Sequence, residues 1–151
     1  MTLQKACHRS LWISAIIVLV LDAVQGWSGD WAAFFRGPGG NLSHTFMLVV
    51  TKLTIYHKTM GFVIGAISIL IIIFAFLARS SRYVRVFAIL GFAITVSAAM
   101  GGFLYVTSRF QDRLALGQMA DSFIGAFAAY FLILFFLNKT PKFPWSRGKA
   151  G

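Results

Sequence analysis

Four long apolar stretches constrain this chain more than any other feature of its sequence. They lie at residues 11–27, 61–78, 86–107 and 114–137, each bounded by charge or by Gly and Pro. About 20 apolar residues in a helix cross the roughly 30 Å hydrocarbon core of a bilayer. Of all residues, 58% are hydrophobic and only 12% are charged. We therefore predict an all-α integral-membrane protein, a four-helix bundle that forms a single transmembrane domain over residues 1–151.

The rest of the composition excludes several classes of protein. Four spans take about 80 residues, which leaves no room within these 151 residues for a soluble catalytic domain. The single cysteine, Cys7, excludes an internal disulfide and dithiol chemistry. We expect no nucleic-acid partner, because a net charge of +10 suits a rim that faces anionic membrane lipids. No glycine-rich phosphate loop or Ser–His–Asp pattern occurs, and whether the chain is an enzyme stays open.

The distribution of basic residues predicts the orientation of the spans. Lys and Arg resist translocation, so the loops that hold most of them stay in the cytoplasm. One side of the membrane holds the smaller group, Arg36, Lys52, Lys58, Arg109 and Arg113. The other side holds the larger group, Lys5, Arg9, Arg79, Arg82, Arg85, Lys139, Lys142, Arg147 and Lys149. We expect both termini to be cytoplasmic, in a bacterial or archaeal cytoplasmic membrane.

The connection between the first two stretches is the longest one. Within residues 44–56, the apolar side chains Phe46, Val49, Val50 and Leu53 recur at i, i+3, i+4 and i+7, the spacing of an amphipathic helix. This segment is either a short helix on the outer interface or the opening turns of a long, tilted second span.

Polar side chains within the spans gather toward the outer half of the membrane. Asp22 and Gln25 end the first stretch, His57 precedes the second, and Asp121 lies in the fourth. A carboxylate that faces lipid costs about 2.5–3.5 kcal/mol, so we expect both aspartates to face the bundle interior or water. They form either a functional site or a clasp that joins helices by hydrogen bonds.

Histidine and methionine side chains fall on the same side of the membrane. Imidazole and thioether groups are ligands of haem iron and of copper(I), although such methionines also serve in plain apolar packing. His57 is the leading candidate for a ligand or proton-transfer group. The candidates that accompany it are His44, Met60, Met100 and Met119.

The two predicted hairpins carry similar patterns. The first and third stretches contain LDAVQG (21–26) and VSAAMGG (96–102), and the second and fourth contain FVIGA (62–66) and SFIGA (122–126). Two hairpins of the same direction would form a parallel repeat, with a site expected at the interface between the halves.

These features together resemble one half of haem A synthase and small four-helix membrane proteins of that plan. The resemblance rests on Tyr56-His57-Lys58-Thr59-Met60-Gly61, on the Gln–Gly pair that ends the first stretch, and on the hairpin repeat. It implies a haem between the halves near the outer surface, with His57 as one axial ligand. The family's second histidine has no match, because the register gives Gly117 or Asp121. His44 or Met119 would then be the second ligand, and haem A synthase activity itself is not expected.

Three functions stay open from the sequence. The first is a small subunit of a redox or respiratory assembly that binds a b-type haem or a quinone, with Asp22, Gln25 and Asp121 tuning the site. The second is a cofactor-free accessory subunit that packs against other membrane subunits or against further copies of itself. The third is a protein that handles protons through Asp22 and Asp121, or copper through its methionine and histidine ligands.

Overall fold

The structure is a computed structural model, and it describes part of the chain. The backbone is described for residues 3–35, 44–108 and 113–139, and the side chains for residues 3–27, 51–52, 54–108 and 113–139. This part of the chain forms four helices: α1 (Leu3–Phe35), α2 (His44–Leu77), α3 (Arg82–Thr107) and α4 (Arg113–Lys139).

Each helix contains a segment that is long and apolar enough to cross a membrane. These segments are Leu3–Trp27, Thr54–Leu77, Arg82–Thr107 and Arg113–Lys139. The shortest has 24 residues and is about 36 Å long, against about 30 Å of hydrocarbon. A helix suits such a segment because it satisfies every backbone N–H and C=O without water. The predicted all-α, four-helix membrane bundle is confirmed.

The first two helices extend well beyond the apolar stretches. α1 begins at Leu3 and α2 at His44, so residues 44–56 are the opening turns of one uninterrupted helix. Hydropathy marks only the part of a helix that is apolar, whereas the backbone hydrogen bonds continue through polar turns beyond it. The helices are therefore longer than the spans.

A tight turn joins α2 to α3. The N–H of Arg79 donates to the carbonyl of Phe76 (3.0 Å) and the N–H of Ser80 donates to that of Ala75 (3.1 Å). Arg79 has φ 51°, so the two bonds form a Schellman motif that ends α2. Ser81 then caps α3, since its side chain accepts from the N–H of Val84 (3.4 Å).

The helices pack as two hairpins that face each other. α1 packs mainly on α2, and α3 mainly on α4, while the contacts of α1 with α4 and of α2 with α3 are smaller. Within the described residues, the backbones of the helices on each diagonal stay apart, although a hydrogen bond from Tyr130 of α4 to Ser68 of α2 crosses one diagonal. The half of the bundle near the α2–α3 turn is closed by a continuous apolar core that includes Leu11, Ala15, Val18, Ile71, Ala75, Val84, Ala88, Ile133 and Leu137.

Candidate functional site

The other half of the bundle is open. A cavity of about 1180 Å³ lies between the hairpins, lined by side chains from residues 22–27 of α1, 54–69 of α2, 92–107 of α3 and 116–126 of α4. We call this space the cleft. Most of its lining is apolar, with a few polar groups that point into it. Large apolar spaces with few polar groups are typical of small-molecule and cofactor sites.

The cleft opens sideways, toward the surface that lipid would cover. Several large apolar side chains line it and are also exposed: Trp27 of α1, Phe62 of α2, Phe103 of α3 and Ile124 of α4. Phe62 is the most exposed of them, at 82%. An apolar molecule dissolved in the membrane could therefore reach the cleft without crossing water.

Asp22 is the most unusual side chain in the cleft. It lines the cleft, yet only 5% of its surface is exposed. Its Oδ2 atom has no hydrogen-bond partner among the described residues. A buried acceptor without a partner is costly, by about 1–3 kcal/mol and more for a charged group. Asp22 is therefore suited to accept a hydrogen bond from a molecule in the cleft.

His57 lies close to the end of α1. Its ring N–H donates to the backbone carbonyl of Gln25, which joins α2 to α1. The side chain of Gln25 also packs on α2, because a Cβ atom at Gly61 would lie only 3.3 Å from Gln25 Nε2. The glycine at position 61 thus allows α1 and α2 to approach at the level of the cleft.

Three hydroxyl groups form a hydrogen-bonded cluster at the inner end of the cleft. The Tyr130 hydroxyl donates to Ser68 Oγ at 2.6 Å and lies 3.1 Å from Thr95 Oγ1. Ser68 in turn donates to the carbonyl of Ile64 (2.7 Å), and Thr95 to that of Gly91 (2.8 Å). Tyr130 and Ser68 are both fully buried.

Asp22 lies near this cluster, where its charge interacts with the Tyr130 phenol. Asp22, Ser68, Thr95 and Tyr130 therefore contribute one polar side chain from each helix, and we call them the polar floor. Tyr130 also packs in the apolar core, so the polar floor lies where the cleft meets that core. Asp22 and Thr95 line the cleft, while Tyr130 and Ser68 are buried beneath them.

Three of the four residues in the polar floor were not predicted from the sequence. Ser68 and Tyr130 lie in runs that are otherwise almost entirely apolar, and we assigned no role to Thr95. A signal was present, because a buried tyrosine usually needs a hydrogen-bond partner. The hydroxyl groups of Ser68 in the second apolar stretch and of Thr95 in the third are such partners.

The structure brings four of the predicted site residues together in the cleft: Asp22, Gln25, His57 and Met119. Among the described residues, Asp121, Met60 and Met100 are not part of its lining. Asp121 is exposed on α4, because two residues beyond Met119 correspond to about 200° around a helix. Met100 is 52% exposed on α3. His44 begins α2, but its side chain lies outside the described part of the structure.

A second polar group joins α3 to α4 away from the cleft. Gln118 Nε2 donates to Ser97 Oγ at 3.2 Å, and Ser122 Oγ donates to the same atom at 3.1 Å. These bonds have the geometry of a clasp between helices. The residues within ranges 3–35, 44–108 and 113–139 whose side chains are described contain no group of three or more His, Cys, Asp or Glu that could hold a metal ion.

The fold and the cleft together define a class of protein, an integral-membrane four-helix bundle with a ligand-sized space that opens toward lipid. Comparisons of the chain with protein-family models, with curated proteins and with solved structures gave no match. The function is therefore argued from the residues of the cleft.

Proposed function

We propose that this protein is a small electron-transfer subunit that binds a b-type haem in the cleft, with His57 and Met119 as axial ligands. One observation carries the proposal. His57 of α2 and Met119 of α4 both line the same cleft, although their helices lie on a diagonal of the bundle and their backbones stay apart in the described residues. Imidazole and thioether together are a known axial pair for haem iron, and the thioether raises the reduction potential.

The hydrogen bond of His57 supports its role as a ligand. A metal-binding histidine almost always donates one ring N–H to a carbonyl or carboxylate, which fixes the tautomer and the ring orientation. The bond from His57 to the carbonyl of Gln25 has this form. Gln25 thus acts as a positioning residue, and the imidazole is held on the side of α2 that lines the cleft.

The small residues of the cleft support the binding of a flat ring. A Cβ atom at Gly65 would meet nothing within 4 Å, and one at Gly102 would lie 3.4 Å from Met119 Sδ. Lys58 lines the mouth of the cleft and is exposed, so it could pair with a propionate. When bound, the haem would supply one-electron chemistry, and the side chains of the cleft would hold it and exclude water.

Absorbance of the purified protein tests this proposal. We expect the wild-type protein to give a reduced-minus-oxidised spectrum of a b-type haem, and His57→Ala to lose it almost completely. Met119→Leu should keep part of the haem but change its spectrum and lower its reduction potential, because one axial ligand is lost. The matched controls are His8→Ala and Met100→Leu, which change the same residue types outside the cleft and should leave the spectrum unchanged.

A colourless wild-type protein, after expression with added haem precursor, would contradict the proposal. So would a His57→Ala protein with a normal spectrum. A colourless protein that purifies together with other membrane subunits would instead favour the accessory-subunit function. Asp121 supports this second candidate, because an exposed carboxylate on an apolar helix is better accommodated against a partner than in lipid.

We also propose that both termini face the cytoplasm and that the cleft lies in the outer half of the membrane. The excess of Lys and Arg at the end of the bundle that holds the α2–α3 turn supports this orientation. Arg113 and Lys139 are exposed at opposite ends of α4. In a Cys7→Ala background, a membrane-impermeant maleimide added to whole cells should label Arg113→Cys and not Lys139→Cys. The reverse labelling pattern would contradict the proposed orientation.

A further inference from the structure

We infer that the inner end of the cleft binds the ring of a neutral, apolar-tailed hydroquinone, with Asp22 accepting a hydrogen bond from one of its hydroxyl groups. The inference rests on the proposed function in that it names a substrate class for the same cleft. Hydroquinones are membrane-soluble electron carriers, so this ligand is consistent with a subunit that transfers electrons. The binding of the ring itself uses the side chains of the polar floor and not His57.

The carboxylate of Asp22 indicates that the ligand is a hydrogen-bond donor. Asp22 is 95% buried, lines the cleft, and has an oxygen without a partner among the described residues. The hydroxyl groups of Ser68 and Thr95 already donate to backbone carbonyls, and that of Tyr130 donates to Ser68. A ligand hydroxyl is therefore the donor that Asp22 requires.

The depth of the polar floor restricts the ligand to a molecule with a mobile polar ring. Thr95 lies 12 residues before Thr107, the last residue of α3, which is about 18 Å along the helix. Ser68 lies 14 residues after Thr54, the start of its apolar segment, or about 21 Å. The head group of a phospholipid stays at the membrane surface and would not reach this depth. A hydroquinone ring, carried on an apolar tail, can.

The charge of the cleft favours a neutral ligand over a cation. Lys58 and Asp22 both line the cleft, so the formal charges of its described lining sum to zero. A lipophilic cation would add a positive charge to this balanced site, whereas a neutral hydroxyl donor would not. The exposed aromatic side chains Phe62 and Phe103 at the side opening provide an apolar surface for the tail.

Calorimetric titration of the purified full-length protein tests the inference. The probe is a decyl-substituted benzohydroquinone, kept reduced under anaerobic conditions. We expect saturable binding to the wild-type protein, and a dissociation constant at least about tenfold higher in Asp22→Asn, because the carboxamide is a weaker acceptor than the carboxylate and presents an NH2 group in place of one oxygen. Asp121→Asn, which changes the exposed aspartate outside the cleft, is the matched control and should bind as the wild type does.

Two further probes identify the chemistry that is recognised. The dimethyl ether of the same compound has the same ring and tail but no hydroxyl donor, and we expect it to bind at least about tenfold more weakly. Equal binding of the ether would overturn the inference, because only apolar partition would remain. Tetraphenylphosphonium is the cationic probe. Binding of this cation that depends on Asp22, without binding of the hydroquinone, would also overturn it.

The His57→Ala protein separates this inference from the proposed function. If the His57→Ala protein loses the haem and still binds the hydroquinone, and adding Asp22→Asn weakens that binding, both proposals stand. If the wild-type protein never contains haem but binds the hydroquinone more tightly than Asp22→Asn does, the inference stands and the haem proposal fails. Unchanged hydroquinone binding in a folded Asp22→Asn protein overturns the inference. If Asp22→Asn does not fold, Asp22→Glu replaces it, with weaker binding expected because its carboxylate is displaced by one methylene.

Discussion

Replacing Gly101 with leucine is expected to separate α3 from α4 and to destabilise the protein by about 3 kcal/mol or more, the upper end for an overpacked core. Gly101 is buried, and a Cβ atom there would lie 3.0 Å from the carbonyl oxygen of Ala115 and 3.1 Å from the N atom of Met119. Both neighbours are backbone atoms of α4. They cannot yield by changing a rotamer, so the whole helix must shift.

Thermal unfolding of the purified protein, followed by circular dichroism, measures this effect. Gly117→Leu is the matched control, because a Cβ atom at Gly117 would meet nothing within 4 Å. Both substitutions increase helix propensity by up to about 1 kcal/mol, so the difference between the two variants reports the packing alone. A Gly101→Leu protein as stable as Gly117→Leu would mean that α3 and α4 do not pack at this glycine.

Replacing Gly65 with leucine is expected to abolish ligand binding while the protein stays folded. Gly65 lines the cleft, and a Cβ atom there would meet nothing within 4 Å. A leucine side chain therefore enters the cleft without colliding with the protein at its first atom. We expect loss of most of the haem absorbance and at least about a hundredfold weaker hydroquinone binding, equivalent to about 2.7 kcal/mol.

Gly117→Leu is again the matched control, since it adds the same side chain at an equally open helical position outside the cleft lining. It should bind both ligands as the wild type does. The unfolding temperature of Gly65→Leu should equal or exceed that of the wild type, because leucine favours helix more than glycine. Full binding in a folded Gly65→Leu protein would show that the ligands lie elsewhere.

The fold could be predicted because the signal is local. Apolar length, the scarcity of charge within each stretch, and the short connections require four helices in a membrane, whatever their packing. The ends of α1 and α2 were less predictable. Hydropathy falls where each helix leaves the apolar stretch, yet α1 and α2 continue as helix to Phe35 and from His44.

The candidate site was predicted in part. Placing Asp22, Gln25, His57 and Met119 at one end of the bundle required only the direction of each span, and these residues do line one cleft. Predicting that Asp121 lies outside the cleft would have required knowledge of the rotation of α4 about its own axis. That rotation depends on which small residues allow close contact with α3, above all Gly101, and an apolar stretch does not specify it.

The sequence by itself determined that this protein is a bundle of four membrane-spanning helices whose polar residues lie mostly toward one end, because hydrophobicity and span direction are properties of the linear chain. The tertiary structure alone decided that Tyr130, Ser68 and Thr95 join in one hydrogen-bonded cluster, with Asp22 near it, where the cleft meets the apolar core. Residues so far apart in sequence converge only when each helix has one rotation and one depth, and these depend on packing against its neighbours.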